Sequence, residues 1–207
     1  MDELRNYLKH LVSFSETELD ESLSYFKKVE IARDQSYVKE DEICKRAAFI
    51  KKGLFKLFYT LDGVERIMLF FQEYQFVTDY YSFLTQTPSK RPVQAVEDSV
   101  IYNISHADFQ NLIDSSAKWE RIGRILAERA YIYSVQRANR IIHDDPDTRF
   151  ITFLKEYPSL IQRVPQYLIA SYLNMTPETY SRVKKRINLK DIEKKSSIHD
   201  PMKRNFI

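Results

Sequence analysis

The chain has 207 residues, 43% hydrophobic and 29% charged, with a formal net charge of +3. That length can bury a core and hold one large domain or two small ones, and that balance excludes an unfolded polyelectrolyte. A single cysteine, Cys44, excludes an internal disulfide and a four-cysteine iron–sulfur cluster.

No apolar run approaches the roughly 18–20 residues that cross a bilayer, Ile67–Phe71 being among the longest. The start MDELRNYLKH is charged throughout and does not resemble a signal peptide. A cytoplasmic protein with no membrane partner is expected. The charge is uneven: residues 148–207 carry 12 Lys/Arg against 5 Asp/Glu, and residues 1–147 carry 20 against 24. A basic C-terminal end attracts phosphate by releasing condensed counterions. A solubilising tail would have the same composition.

In chain order, Leu4, Leu8 and Leu11 share one face of a helix over 2–12. Ser15 and Glu18 have capping-box spacing ahead of a second helix carrying Leu19, Leu23 and Phe26. From about Lys28 to Ile104 the period changes to alternation. Phe55, Leu57 and Tyr59 alternate with Lys56 and Phe58, Asp62-Gly63 supplies a hairpin turn, and Ile67, Leu69 and Phe71 follow. Val100, Tyr102 and Ile104 share a face of a later strand. This pattern predicts a small antiparallel barrel or sandwich.

The connection from Phe76 to Pro92 breaks the alternation and carries Asp79, Lys90 and Arg91. Irregular connections on rigid sheets often hold ligands; a plain surface connection is the alternative. A short helix over 106–116 precedes a long one from about Ala117 to Ile142. Trp119, Ile122, Leu126 and Tyr133 form its stripe, with Ile125, Ile132 and Val135 beside it. A helix apolar on two sides packs on its own domain and on a partner, although Arg129 and Gln136 interrupt the heptad. Asp145-Pro146-Asp147 ends that helix and caps the next, which packs through Phe150, Phe153 and Leu154 and stops before Pro158. A domain boundary is expected near His143 to Asp147, and a basic tail of low apolar content over 188–207.

Pro165 to Ile187 reads as two short helices around a tight turn. Ile169 and Leu173 give the first an apolar face, Ala170 permits close approach, and Asn174 tolerates a left-handed turn. Thr176 caps the second helix, with Pro177 at its first position and Glu178 in its positive first turn. Tyr180, Val183 and Ile187 should face inward, and Glu178, Ser181, Arg182 and Lys185 outward. Arginine donates two hydrogen bonds to guanine and glutamate accepts from cytosine, so this face suits a recognition helix. An ordinary helical hairpin with a solvated polar side is the bland counterpart.

These motifs resemble the Crp/Fnr family of bacterial transcription regulators over nearly the whole chain. The resemblance is most specific in Tyr157-Pro158, Arg163-Val164-Pro165-Gln166, Ile169-Ala170-Ser171-Tyr172-Leu173 and Thr176-Pro177-Glu178-Thr179-Tyr180-Ser181-Arg182. It is similar to the branch found in Bacteroidetes-type bacteria. It implies an α+β chain with three parts. Residues 1–116 would be an antiparallel β-roll of the cyclic-nucleotide-binding kind, 117–143 a dimerisation helix, and 144–207 a helix-turn-helix domain with a basic tail. Double-stranded DNA, a second copy of the chain and RNA polymerase are the implied partners.

The resemblance places base contacts at Glu178 and Arg182, with Ser181 between them; Thr176, Thr179, Lys184, Lys185 and Arg186 complete the expected DNA-binding set. Pro177 stands where some members have another basic reader, and a β-wing commonly follows the position of Ile187. The cyclic-nucleotide cassette starts Gly-Glu and ends Arg-Ser/Thr; here it reads Thr78-Asp79 and Arg91-Pro92. Asp79 would hold a ribose hydroxyl and Arg91 a phosphate. Thr78 restricts the backbone, and Pro92 removes an N–H and a hydroxyl. The expectation is therefore a sensor that does not bind cAMP or cGMP in the usual way, with no cofactor and an unidentified effector, if any.

Two other classes compete. One is a ligand-binding sensor whose C-terminal domain contacts protein instead of DNA, which the basic excess opposes. The other is a cupin-like metalloenzyme, which needs several converging ligands. The strand region lacks histidine before His106, and His10, His143 and His199 are scattered. No enzyme activity is expected.

Overall fold

The computed structural model describes residues 1–187. The expected tail and the question of a β-wing after Ile187 lie outside the described residues. Two compact units form: one takes in Met1–Val64 and Met68–Glu128, and the other takes in Glu65–Ile67 and begins again at Arg129.

The first unit opens with α1 (Asp2–Leu11), which buries Leu4 and Leu8, and α2 (Glu16–Ser24), which buries Leu19 and Leu23. Ser15 and Glu18 make the expected capping box: the Ser15 hydroxyl accepts from the Glu18 N–H, and the Glu18 carboxylate accepts from the Ser15 N–H at 2.7 Å. Glu18 also accepts from Lys118 Nζ at 2.6 and 2.7 Å. The Lys118 bond first, then those from Ser15, lower its pKa from 4.5 to about 2. A depressed carboxylate stabilises the fold fully above its unfolded value and loses that contribution as pH falls through its folded value. Glu18→Gln is thus expected to lower stability above pH 4.5, with the deficit vanishing as pH falls through about 2. Urea unfolding of both proteins across that range measures it.

Eight strands follow: β1 (Lys27–Ile31), β2 (Ser36–Val38), β3 (Arg46–Lys52), β4 (Phe55–Leu61), β5 (Val64–Phe71), β6 (Phe76–Val77), β7 (Val93–Ala95) and β8 (Ser99–Ser105). They form two four-stranded sheets, ordered β1-β8-β3-β6 and β2-β7-β4-β5. The pairings of β1 and β3 with β8, and of β4 and β2 with β7, are antiparallel. The Asp62-Gly63 turn forms as expected, with φ of 52° and 74°, the left-handed pair that suits a two-residue hairpin. Gly53, between β3 and β4, is required for space: a Cβ there would lie 2.0 Å from Ser99 Oγ.

The expected alternation of β4 is corrected. Phe55, Lys56, Leu57 and Phe58 are all buried, and only Tyr59–Leu61 are exposed. Both faces of the strand are covered at that end, so period two disappears from the burial. Lys56, 7% exposed, lays its ammonium over the Phe58 ring at 4.6 Å, which compensates part of its lost hydration. In β8, Tyr102 and Ile104 are buried as expected, but Ile101 on the opposite face is buried too.

After α3 (Tyr80–Thr85) and the strands come α4 (His106–Ser115) and α5 (Ala117–His143). The start of α5 closes the core of this unit. Trp119 stacks on Phe26 at 6.1 Å, meets Phe109 edge-on, and donates its indole N–H to Ser22 Oγ at 2.9 Å. That bond satisfies the buried polar end of a large side chain.

In the second unit the later part of α5 is joined by α6 (Pro146–Glu156), α7 (Leu160–Arg163), α8 (Gln166–Tyr172) and α9 (Pro177–Arg186). Asp145 caps α6 by accepting from the Thr148 N–H at 2.8 Å. α7 is a short helix that the sequence reading did not separate. The buried residues Phe150, Phe153, Leu160, Leu168, Ile169, Tyr180 and Val183 build the core. Three phenols meet inside it: Tyr133 and Tyr172 share a hydrogen bond at 2.7 Å, and Tyr157 donates to Tyr133 at 3.3 Å. Burial, more than any neighbour, pushes the Tyr133 and Tyr157 hydroxyls well above their ordinary pKa, so both stay neutral donors.

Candidate nucleic-acid interface and sensor cassette

The turn between α8 and α9 is built from local chemistry. Asn174 has φ 52°. The Met175 N–H reaches back to Ala170 O at 2.9 Å, and the Asn174 N–H to Ser171 O at 3.0 Å. This nested pair is a Schellman ending, which satisfies carbonyls the helix would otherwise leave open. Thr176 then caps α9: its hydroxyl accepts from the Thr179 N–H at 3.2 Å, with Pro177 at the first position. Tyr180 and Val183 anchor α9, Tyr180 meeting Phe150 edge-on at 5.5 Å.

Of the residues expected at DNA, Thr176, Glu178, Ser181, Arg182, Lys184, Lys185 and Arg186 are exposed, and Thr179 is half-buried. Glu178, Ser181, Arg182 and Lys185 share the outer face of α9. The Glu178 carboxyl is held below its usual pKa first by its own backbone N–H, then by the Thr176 hydroxyl and the charge of Arg182. It is therefore ionised at neutral pH and can only accept hydrogen bonds. The Arg182 guanidinium makes a long contact, 3.3 Å, to Thr179 Oγ1. Arg186 is engaged differently, in an ion pair with Asp147 on α6. Tyr167, in the first turn of α8, is a large exposed aromatic that the sequence reading passed over.

In the first unit, Asp79 and Arg91 come together. The Asp79 carboxylate is 1% exposed and accepts from Arg91 at 2.7 Å on one oxygen and from the Ser89 hydroxyl at 2.7 Å on the other. The Arg91 N–H donates to Ser89 Oγ at 3.0 Å. The Arg91 guanidinium lies 5.2 Å from the centre of the exposed Tyr81 ring, while Phe83 is buried in the core. Thr78 shares a 3.1 Å contact with Cys44 Sγ, which is buried. Ser89, the third member of this cluster, could not be read from the sequence; its signal is a small hydroxyl two residues before the cassette arginine. A nearby cavity of about 250 Å³, lined by Tyr37, Cys44 and Arg46 among others, has neither Asp79 nor Arg91 in its wall.

Among the described residues, no three His, Cys, Asp or Glu side chains converge as metal ligands would. Within the same residues no helix is long and apolar enough to cross a membrane.

Residues 28–116, which span most of the two-sheet body of the first unit, match the cyclic nucleotide-binding domain family. No curated protein matches the chain. Among solved structures it is similar to FixK2 from Bradyrhizobium japonicum, with a TM-score of 0.70 at 15% identity over 78% of this chain and 83% of that one. It is also similar to the c-di-GMP-responsive global regulator CLP from Xanthomonas campestris, with a TM-score of 0.64 at 15% identity over 90% and 95%. The catabolite activator protein of Thermus thermophilus aligns with a TM-score of 0.53 at 20% identity over 86% and 85%. These three are regulators of the Crp/Fnr kind, and at these identities the likeness is one of fold.

Proposed function

We propose that the chain is a homodimeric, sequence-specific DNA-binding transcription regulator, a Crp/Fnr regulator of the branch seen in Bacteroidetes-type bacteria. The observation that carries this reading is the outer face of α9. A rigidly capped helix presents an ionised Glu178, the Ser181 hydroxyl and the Arg182 guanidinium side by side, with Lys184 and Lys185 after them. Glu178 and Arg182 read base edges; Lys184 and Lys185 hold phosphates, with support from Thr176 and Thr179 at the helix N-terminus. Arg186 joins them only when its ion pair with Asp147 opens, so it ranks behind the two lysines. Residues 144–207 form the helix-turn-helix domain and 117–143 the dimer helix, whose Tyr131, Val135 and Ile142 are exposed apolar groups suited to a second copy. RNA polymerase is the protein partner this role calls for.

The sensor of this proposal, residues 1–116, does not take cAMP or cGMP in the usual way. Asp79 and Arg91 would each have to exchange a satisfied partner for the ligand, and Pro92 offers no N–H in return. CLP responds to c-di-GMP, so the test ligands are cAMP, cGMP and c-di-GMP.

The deciding experiment selects a duplex from a random pool and titrates binding with salt. A regulator of this design weakens steeply, and Lys185→Ala makes the log–log slope shallower by about 2, roughly one phosphate per protomer. A failure to select any duplex at low salt would shift the reading to a sensor whose C-terminal unit contacts protein.

A further inference from the structure

The second unit contains a basic cleft that the proposed DNA reading does not use. It lies among α5, α6 and α8, and Arg137, Arg140, Arg149, Thr152, Glu156 and Tyr172 contribute to its wall. Two of these cations are engaged. Arg140 makes a bidentate pair with Glu156 at 2.5 and 2.6 Å. Arg137 donates to Tyr172 O at 2.8 Å and lies 4.1 Å over that residue's ring. Arg149 differs. Its Nε–H is buried and has no hydrogen-bond partner. An unpaired buried donor is costly, and more so on a cation, so it marks a place where something belongs.

We propose that this cleft binds a small oxyanion of the phosphate class, one oxygen of which accepts from Arg149 Nε. Size, charge and donors agree. The space within the cleft is about 20 Å³, room for about one oxygen-sized group. The rest of the anion then sits at the mouth of the cleft. Three arginines against the single Glu156 leave a net charge of +2 around that point. Thr152, one helical turn beyond Arg149, belongs to the same wall. A cation is repelled here, and a neutral acceptor such as a lone water would satisfy the N–H but leave the charge uncompensated. The bound anion ties α6 to α5 within the second unit, so occupancy stabilises that helix packing whether or not α9 reads DNA.

The test uses the full chain in a phosphate-free buffer. Inorganic phosphate is added against sodium chloride at matched ionic strength, and thermal unfolding is recorded. The melting temperature should rise by roughly 3–6 °C when phosphate is about ten times its Kd. The ³¹P line of phosphate should broaden on adding the wild-type protein. Arg149→Ala abolishes both effects, and Arg33→Ala, an exposed arginine of the first unit, keeps them. Should Arg149→Ala fail to fold, Arg149→Lys keeps the charge but lacks the Nε donor, and is expected to weaken the phosphate response at least tenfold. The proposal is overturned if phosphate acts no more than chloride, or if the Arg149 variants respond as wild type does. A phosphodiester of DNA offers the same chemistry. Protection by a random duplex but not by free phosphate would likewise overturn the assignment to a free anion.

Discussion

Arg182→Ala is expected to weaken binding to the cognate duplex by about 1–3 kcal/mol and to relax preference at one base pair per half-site. The side chain is exposed on α9, and its contact with Thr179 Oγ1, at 3.3 Å, is long enough to surrender without loss. A guanidinium in that position can donate two parallel hydrogen bonds to guanine O6 and N7, which no other base presents in the same pattern. Binding measured against the selected site and its single-base variants separates two outcomes. Loss confined to one base pair supports a base reader. Equal loss on cognate and random duplexes assigns Arg182 to phosphate and leaves Glu178 as the main reader.

The capped turn between α8 and α9 was legible because its determinants are local. Thr176, Pro177 and Asn174 act within one turn of their own position, through side-chain-to-backbone bonds and allowed dihedrals, so their spacing predicts the geometry that the structure has. The capping box of Ser15 and Glu18 was legible for the same reason. β4 was not. Burial of Lys56 and Phe58 depends on what covers the second face of the strand, and no pattern of alternation carries that information.

The sensor cluster lies between these cases. Asp79 and Arg91 were singled out as ends of a cassette only through the family resemblance. That they neutralise each other, with Ser89 as the third member, follows only from folding the loop back on itself. The Arg149 cleft was wholly hidden. Its arginines come from two helices, α5 and α6, and look in sequence like ordinary solvated charges. Tertiary packing is what buries Arg149 Nε and leaves it unpaired.

Arg91→Ala carries the largest expected loss of stability. Removing the arginine leaves the Asp79 carboxylate, 1% exposed, with the Ser89 hydroxyl as its remaining hydrogen-bond partner among the described residues. Breaking a buried pair from one side typically costs about 3–5 kcal/mol, because the other charge stays buried and uncompensated. Arg91 itself is 29% exposed, so the reciprocal change, Asp79→Ala, should cost less. Replacing both partners together, as Asp79→Leu with Arg91→Leu, removes the stranded charge and should recover most of the loss. Urea unfolding of wild type, the two alanine variants and Asp79→Ala/Arg91→Ala closes the double-mutant cycle, and a coupling energy near zero would mean that the pair is solvated and structurally idle. The same proteins test the sensor. A cassette that recruits this pair for a nucleotide should be stabilised by cAMP, cGMP or c-di-GMP in wild type and lose that response with Arg91. A cassette in which the pair is a structural clasp shows the stability loss without any ligand response, because Asp79 and Arg91 are already each other's ligands.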